Sequence, residues 1–145
     1  MCGGFEVKID GKPVRVYFPS PKATIPIERA GQQLWLPWGR RREEAGRLPP
    51  GGWAREDSLL AGKWKRFHPV EVVARIEGFM EKDQAKTSHW FAVQEELMLR
   101  CLIATADGEQ RAYVITGTPP VEHVSIHDRW PLFAIRGGST AAQTI

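Results

Sequence analysis

Short runs of alternating apolar and polar residues cover much of this chain, a two-residue period that suits strands better than helices. Residues 13–18 (PVRVYF) alternate and predict a strand, which Pro19 and Pro21 then end. Residues 24–28 and 32–36 predict two short strands around a turn at Ala30-Gly31. Residues 70–76 are β-branched and strand-like. Residues 89–93, 97–105 and 111–117 predict three more strands, the last two joined by a hairpin turn at Ala106-Asp107-Gly108-Glu109. A last short strand covers residues 131–135. Helical spacing occurs at residues 56–67, where Leu59, Leu60, Trp64 and Phe67 follow an acidic start. Residues 39–53 form a loop rich in glycine, proline and arginine, long for a compact domain, and such loops often carry function. The pattern predicts a single compact, strand-rich α+β domain over residues 1–136, not a βαβ repeat, with a flexible tail over 137–145.

Composition narrows the setting. A length of 145 residues with 42% hydrophobic residues suits one domain with a real core. No apolar run reaches the roughly 18 residues of a membrane span. Glu6, Lys8, Asp10, Lys12 and Arg15 interrupt any early secretory signal. Of the two cysteines, Cys101 lies in the apolar run 97–103 and fits a buried strand thiol, although a disulfide to Cys2 is arithmetically open. A reducing, cytoplasmic setting is the default expectation. The net charge is only +3, but between Trp38 and Arg66 eight arginines and lysines face four acidic residues.

Candidate chemistry starts at Cys2. If Met1 is trimmed, Cys2 carries an α-amine and a thiol on adjacent carbons. The amine can condense with an aldehyde to an imine, and the thiol can close onto the imine carbon to form a thiazolidine, which an internal cysteine cannot do. A free α-amine titrates at roughly 7.7–8.0, so part of it is nucleophilic near neutrality. A second cluster, Glu77-Gly78-Phe79-Met80-Glu81-Lys82, follows the 70–76 strand. A carboxylate at a strand end among apolar groups suits acid–base work, and a solvated turn glutamate is the plainer alternative. A third, His127-Asp128-Arg129, joins an imidazole, a carboxylate and a guanidinium, with a loop ion pair as its plainer alternative. His123 and His127 have the four-residue spacing of helical metal ligands, but the proline and β-branched context argues against a helix and no zinc site is expected. The basic stretch with Arg40, Arg41, Arg55, Trp38, Trp53 and Trp64 could neutralise phosphates and stack bases. Equally, its tryptophans could be core and its arginines solvated surface.

Taken in order, these pieces resemble the SOS-response-associated peptidase family, also called abasic-site processing proteins. The opening Met1-Cys2-Gly3-Gly4-Phe5 is similar to the family's Met-Cys-Gly-Arg-Phe, and Tyr17-Phe18-Pro19-Ser20-Pro21 to its Tyr-Asn-x-x-Pro. Trp38-Gly39, Pro49-Pro50 and Trp53-Ala54-Arg55-Glu56 follow its Trp-Gly, proline-rich and Asn-Ala-Arg-x-Glu elements. Glu77 through Lys82 resembles Asp-Gly-Phe-Tyr-Glu-Trp, and Lys86 through Val93 its next strand. Ile126-His127-Asp128-Arg129-Trp130-Pro131 matches Ile-His-Asp-Arg-x-Pro outright. The likeness implies a mixed sheet or partial barrel with a few short helices, in a compact, divergent, phage-type member of the family. It implies a monomer that binds single-stranded DNA, captures abasic sites as a thiazolidine crosslink through Cys2, and needs no metal, cofactor or membrane. By the same resemblance Glu81 handles protons, and His127 assists sugar opening and β-elimination. Arg55 contacts phosphates by the same likeness, and the expected DNA surface adds Trp38, Trp53, Arg40 and Arg41 of the basic aromatic stretch and Arg129. Three positions depart from the pattern: Trp53 and Phe18 replace asparagines, and Gly4 replaces an arginine.

Two other functions fit the same residues. One is a module that binds single strands without covalent chemistry, with Trp53 and Phe18 serving as stacking faces. The other is a thiol peptidase using Cys2 and His127 as a nucleophile–base pair.

Overall fold

Asp10-Gly11, Ala30-Gly31 and Asp107-Gly108 each place two consecutive residues at positive φ (51° and 75°, 52° and 76°, 51° and 78°). This is the two-residue hairpin geometry whose twist matches paired strands. In the computed structural model, which describes residues 3–136 and 143–144, the first turn joins β1 (Gly4–Ile9) to β2 (Lys12–Tyr17) and the second joins β3 (Thr24–Arg29) to β4 (Gln32–Pro37). β5 (Trp53–Arg55) leads into α1 (Glu56–Leu60), followed by β6 (Val70–Ala74), β7 (Gly78–Lys82) and β8 (Ser88–Ala92). The third turn joins β9 (Leu97–Ala106) to β10 (Glu109–Gly117), and β11 (Trp130–Pro131), β12 (Phe133–Ile135) and β13 (Gln143–Thr144) complete the order.

The strands form two open sheets. The smaller has the order β2-β1-β7-β8, and the larger runs β11-β10-β9-β6-β3-β4 with β12 on β9, β13 on β6 and β5 on β10. The β5–β10 pair is parallel, which makes the larger sheet mixed. Phe5, Val7 and Phe79 of the small sheet share one buried cluster with Ile25, Ile27, Leu99, Cys101 and Val114 of the large one. Each such side chain contributes about 1.5–3 kcal/mol by leaving water. Arg75 ties the β6–β7 connection to the β8–β9 connection. Its guanidinium donates to the carbonyls of Val93, Gln94 and Leu97 at 3.2, 2.7 and 2.9 Å and pairs with Glu77 at 3.1 Å.

The single strand-rich domain is as the pattern predicts, but its helical part is smaller than α+β implies. The helix expected over 56–67 stops at Leu60, because Gly62 turns the chain at φ +79°. A 3-10 turn, Lys65–Phe67, follows. No helical piece forms a layer, so the fold is mostly β. β1 and β7 lie where no strand was expected, and Glu81 sits inside β7, not at a strand end. The strand expected over 131–135 divides at Leu132, where the chain changes partner from β10 to β9. The tail expected from Gly137 lies outside the described residues, apart from Gln143–Thr144, which pair with Glu71 and Val70. No helix among the described residues is long and apolar enough to cross a membrane.

Candidate functional site

β7 runs through the middle of the small sheet, between β1 and β8. Opposed residues in an antiparallel pair project to one face, so Phe79 with Phe91, and Glu81 with His89, share the face that also carries Phe5. Glu81 extends this inward row by one step and is 0% exposed. Burial raises its carboxyl pKa to about 7, against an ordinary value near 4.5.

Cys2 lies outside the described residues, but its neighbour is held firmly. Gly3 donates its N–H to the Met80 carbonyl at 3.1 Å and accepts from the Phe18 N–H at 3.2 Å. Gly3 therefore sits between the end of β2 and the residue before Glu81. Here a cavity of about 890 Å³ opens, lined by Gly3, Phe18, Trp53, Met80, Asp83 and His127 among others. The two neighbours of Glu81, Met80 and Lys82, both line it.

His127 reaches the cavity from the loop before β11. Its Nδ1 accepts the Arg129 N–H at 3.0 Å, which leaves the neutral ring's own proton on Nε2. Burial lowers its pKa, and Asp128, with Oδ1 at 3.0 Å from Nδ1, opposes that shift. His123 is four residues away but faces elsewhere, stacked on Trp130 at 5.0 Å. Among the described residues no group of three or more His, Cys, Asp or Glu could hold a metal ion.

The tryptophans and arginines divide sharply. Trp38 is 0% exposed and donates its indole N–H to the Gly52 carbonyl at 2.9 Å, so it has no face to offer a base. Trp53 is half-buried, 4.8 Å from the Phe18 ring, and walls the cavity without filling it. Its Nε1 is buried with no hydrogen-bond partner among the described residues. Arg41 is 4% exposed, lies over Phe18 and pairs with Glu44 at 3.0 Å. Its guanidinium donates to the carbonyls of Phe18, Ser20, Trp38 and Gly39. Arg40 donates to the Leu48 carbonyl at 2.6 Å and to that of Glu44. Arg41 thus fastens residues 39–52 to the body and is too buried for the expected phosphate-facing role, while the half-buried Arg40 braces the loop from within. Arg55 is exposed and chelated by Asp57 at 3.0 and 2.8 Å. Arg129 donates to the Thr116 carbonyl at 2.7 Å.

The sequence pattern did not reveal the pair of Asp83 and His89, whose Oδ2 and Nε2 are 2.7 Å apart. The hydrogen bond from His89, followed by the Thr87 N–H, lowers the Asp83 pKa. The signal for it was the turn-like Asp83-Gln84-Ala85-Lys86-Thr87 between two short apolar runs, which marks the β7–β8 hairpin. Set against models of known protein families the chain matches none, and no curated protein matches it either.

Proposed function

We propose that this chain traps abasic sites in single-stranded DNA, by the chemistry its sequence likeness to the SOS-response-associated peptidases implies. The observation that carries this reading is the anchoring of Gly3 on the Met80 carbonyl, one residue before buried Glu81, at a cavity that Gly3, Met80 and His127 line. The two open sheets are read as a compact, divergent form of that family's partial barrel, working as a monomer.

Once the Met1–Cys2 bond is hydrolysed, the Cys2 amine attacks the aldehyde carbon of a ring-opened abasic sugar. The resulting carbinolamine loses water, and Glu81, about half protonated near pH 7, supplies the proton that the departing hydroxyl needs. The thiol sulfur then adds to the imine carbon, and its proton returns to the Glu81 carboxylate. One water leaves for each thiazolidine formed, and no oxidant or reductant is consumed. His127 stays neutral at pH 7 and donates through Nε2 toward the sugar's ring oxygen as it opens. Trp53 and Phe18 offer apolar walls to the sugar and its neighbouring base.

A denaturing gel with single-stranded DNA carrying one abasic site tests the reading. Protein shown by intact mass to begin at Cys2 gives a shifted band, and Cys2→Ala gives none. Absence of a band with the processed wild type rejects the trap. The aromatic wall of Trp53 and Phe18 favours a second reading, a non-covalent single-strand module. It predicts no band and equal affinity for abasic and intact DNA.

A further inference from the structure

Across the outer face of the small sheet, Tyr17, Gly4, Met80 and Trp90 stand in one row on β2, β1, β7 and β8. Three strand spacings of about 4.8 Å separate the backbones of Tyr17 and Trp90. Their ring centroids are nonetheless only 6.2 Å apart, edge to face. The gap closes because position 4 has no side chain. A Cβ on Gly4 would meet Tyr17 Cδ1 at 3.0 Å, so the tyrosine ring lies across β1. Arg15, two residues earlier on β2, lays its guanidinium 3.9 Å above the Trp90 ring. Side chains from both edges of the sheet thus meet over its middle.

Tyr17 and Arg15 of this cluster stay open to solvent, Trp90 is half-buried and Met80 is buried. Tyr17 is 42% exposed and the Arg15 side chain 51%. Register puts the exposed Lys8 and Lys82 on the same face. The acid there, Glu6, touches Arg15 at 3.4 Å in an exposed pair that yields readily to a phosphate. Tyr17 and Lys82 also line the 890 Å³ cavity, so the face continues into its mouth. Aromatic faces interleaved with cations suit unpaired bases and their phosphates, whereas a duplex keeps its base faces stacked inside.

We infer that this outer face is a stacking platform for single-stranded DNA, holding the nucleotides next to the one in the cavity. Arg15 swings off the Trp90 ring to a phosphate, bases lie against Tyr17 and the ring face so freed, and further phosphates meet Lys8 and Lys82. The inference rests on reading the cavity as a DNA site, and it assigns the strand's path to residues outside the 38–66 stretch.

The test measures fluorescence anisotropy of a labelled, intact oligo-dT of about 15 nucleotides with full-length protein carrying Cys2→Ala, which removes covalent capture. Trp90→Ala weakens binding about tenfold, and Trp90→Phe keeps most of it. Arg15→Gln lowers the slope of log K against log salt by about 0.7. Ser88→Glu, which adds a negative charge at an exposed position on the same face, also weakens binding. Arg15→Gln and Ser88→Glu change exposed positions only, so they decide the matter if Trp90→Ala fails to fold. Folded variants that bind like the parent, a duplex that binds as tightly as the single strand, or a parent that does not bind would each overturn the platform. Adduct formation with variant-insensitive binding removes the platform and leaves the trap. Variant-sensitive binding without an adduct removes the trap and leaves the platform.

Discussion

Glu81 stands directly opposite His89 across the β7–β8 ladder, on the core side of the small sheet. The two side chains meet different surroundings. The His89 ring, with 38% of its side chain exposed, turns to Asp83 at 2.7 Å. Glu81 is fully buried, and burial lifts its pKa to about 7. One hairpin therefore holds an ordinary ionised carboxylate at Asp83 and a proton-carrying one two residues earlier.

In the proposed trap, Glu81 is the proton donor that its burial makes available. Because its folded pKa is raised, the acid form is complete below about 4.5 and fades as pH rises through about 7. Crosslinking therefore slows on this limb above pH 7. Glu81→Gln loses the inflection and about a hundredfold in rate, read from single-turnover gels across pH. The same shift stabilises the fold below about 4.5 and is lost through about 7, so Glu81→Gln melts relatively higher than wild type at pH 8–9.

His127 acts with the opposite sign. Its folded pKa is lowered by burial, so its contribution to stability is present above the ordinary value of 6.5 and is lost as pH falls below it. An NMR titration of the ring protons shows an inflection below 6.5, and His127→Ala removes it. In the trapping assay His127→Ala reduces strand cleavage at the abasic site more than it reduces crosslinking.

Arg41 and Arg55 separate structure from surface. Arg41→Gln leaves four carbonyls and Glu44 short of a buried donor and costs about 3 kcal/mol or more in urea unfolding. Arg55→Gln removes an exposed pair with Asp57 and leaves the urea midpoint almost unchanged. Equal losses for the two would show that Arg41 does not fasten the loop.

Gly39 admits no side chain. It sits at φ +57°, and a Cβ would come within 2.1 Å of the Gly51 carbonyl oxygen, a backbone atom that cannot swing away. Gly39→Ala forces the 39–52 loop open and costs about 3 kcal/mol or more. Gly11→Ala carries a similar positive φ with nothing within 4 Å, so its cost is limited to backbone strain of about 1 kcal/mol. Chemical denaturation of the two variants side by side separates close approach from conformation.

Much of this architecture was written locally. Local pattern marked β2 and β8 of the smaller sheet and the larger sheet apart from β5 and β13, Ala30-Gly31 and Asp107-Gly108 marked two hairpins, and the apolar run around Cys101 marked a buried strand. Asp10-Gly11 is an equally plain turn and Phe5 and Val7 alternate before it, yet β1 was not among the expected strands. β7 was harder to read, because its inward positions are Phe79 and Glu81, and a carboxylate breaks the apolar rhythm. What only the tertiary structure decided was which polar groups face inward. Sequence counts guanidiniums and indoles but does not say which bend back onto carbonyls, as Arg41 and Trp38 do, and which stay outside, as Arg15 and Trp90 do. Turns and strand periods arise from neighbours in the chain. The desolvation of Glu81 and the meeting of Tyr17 with Trp90 arise from residues more than 60 positions apart, which come together only when the sheet forms.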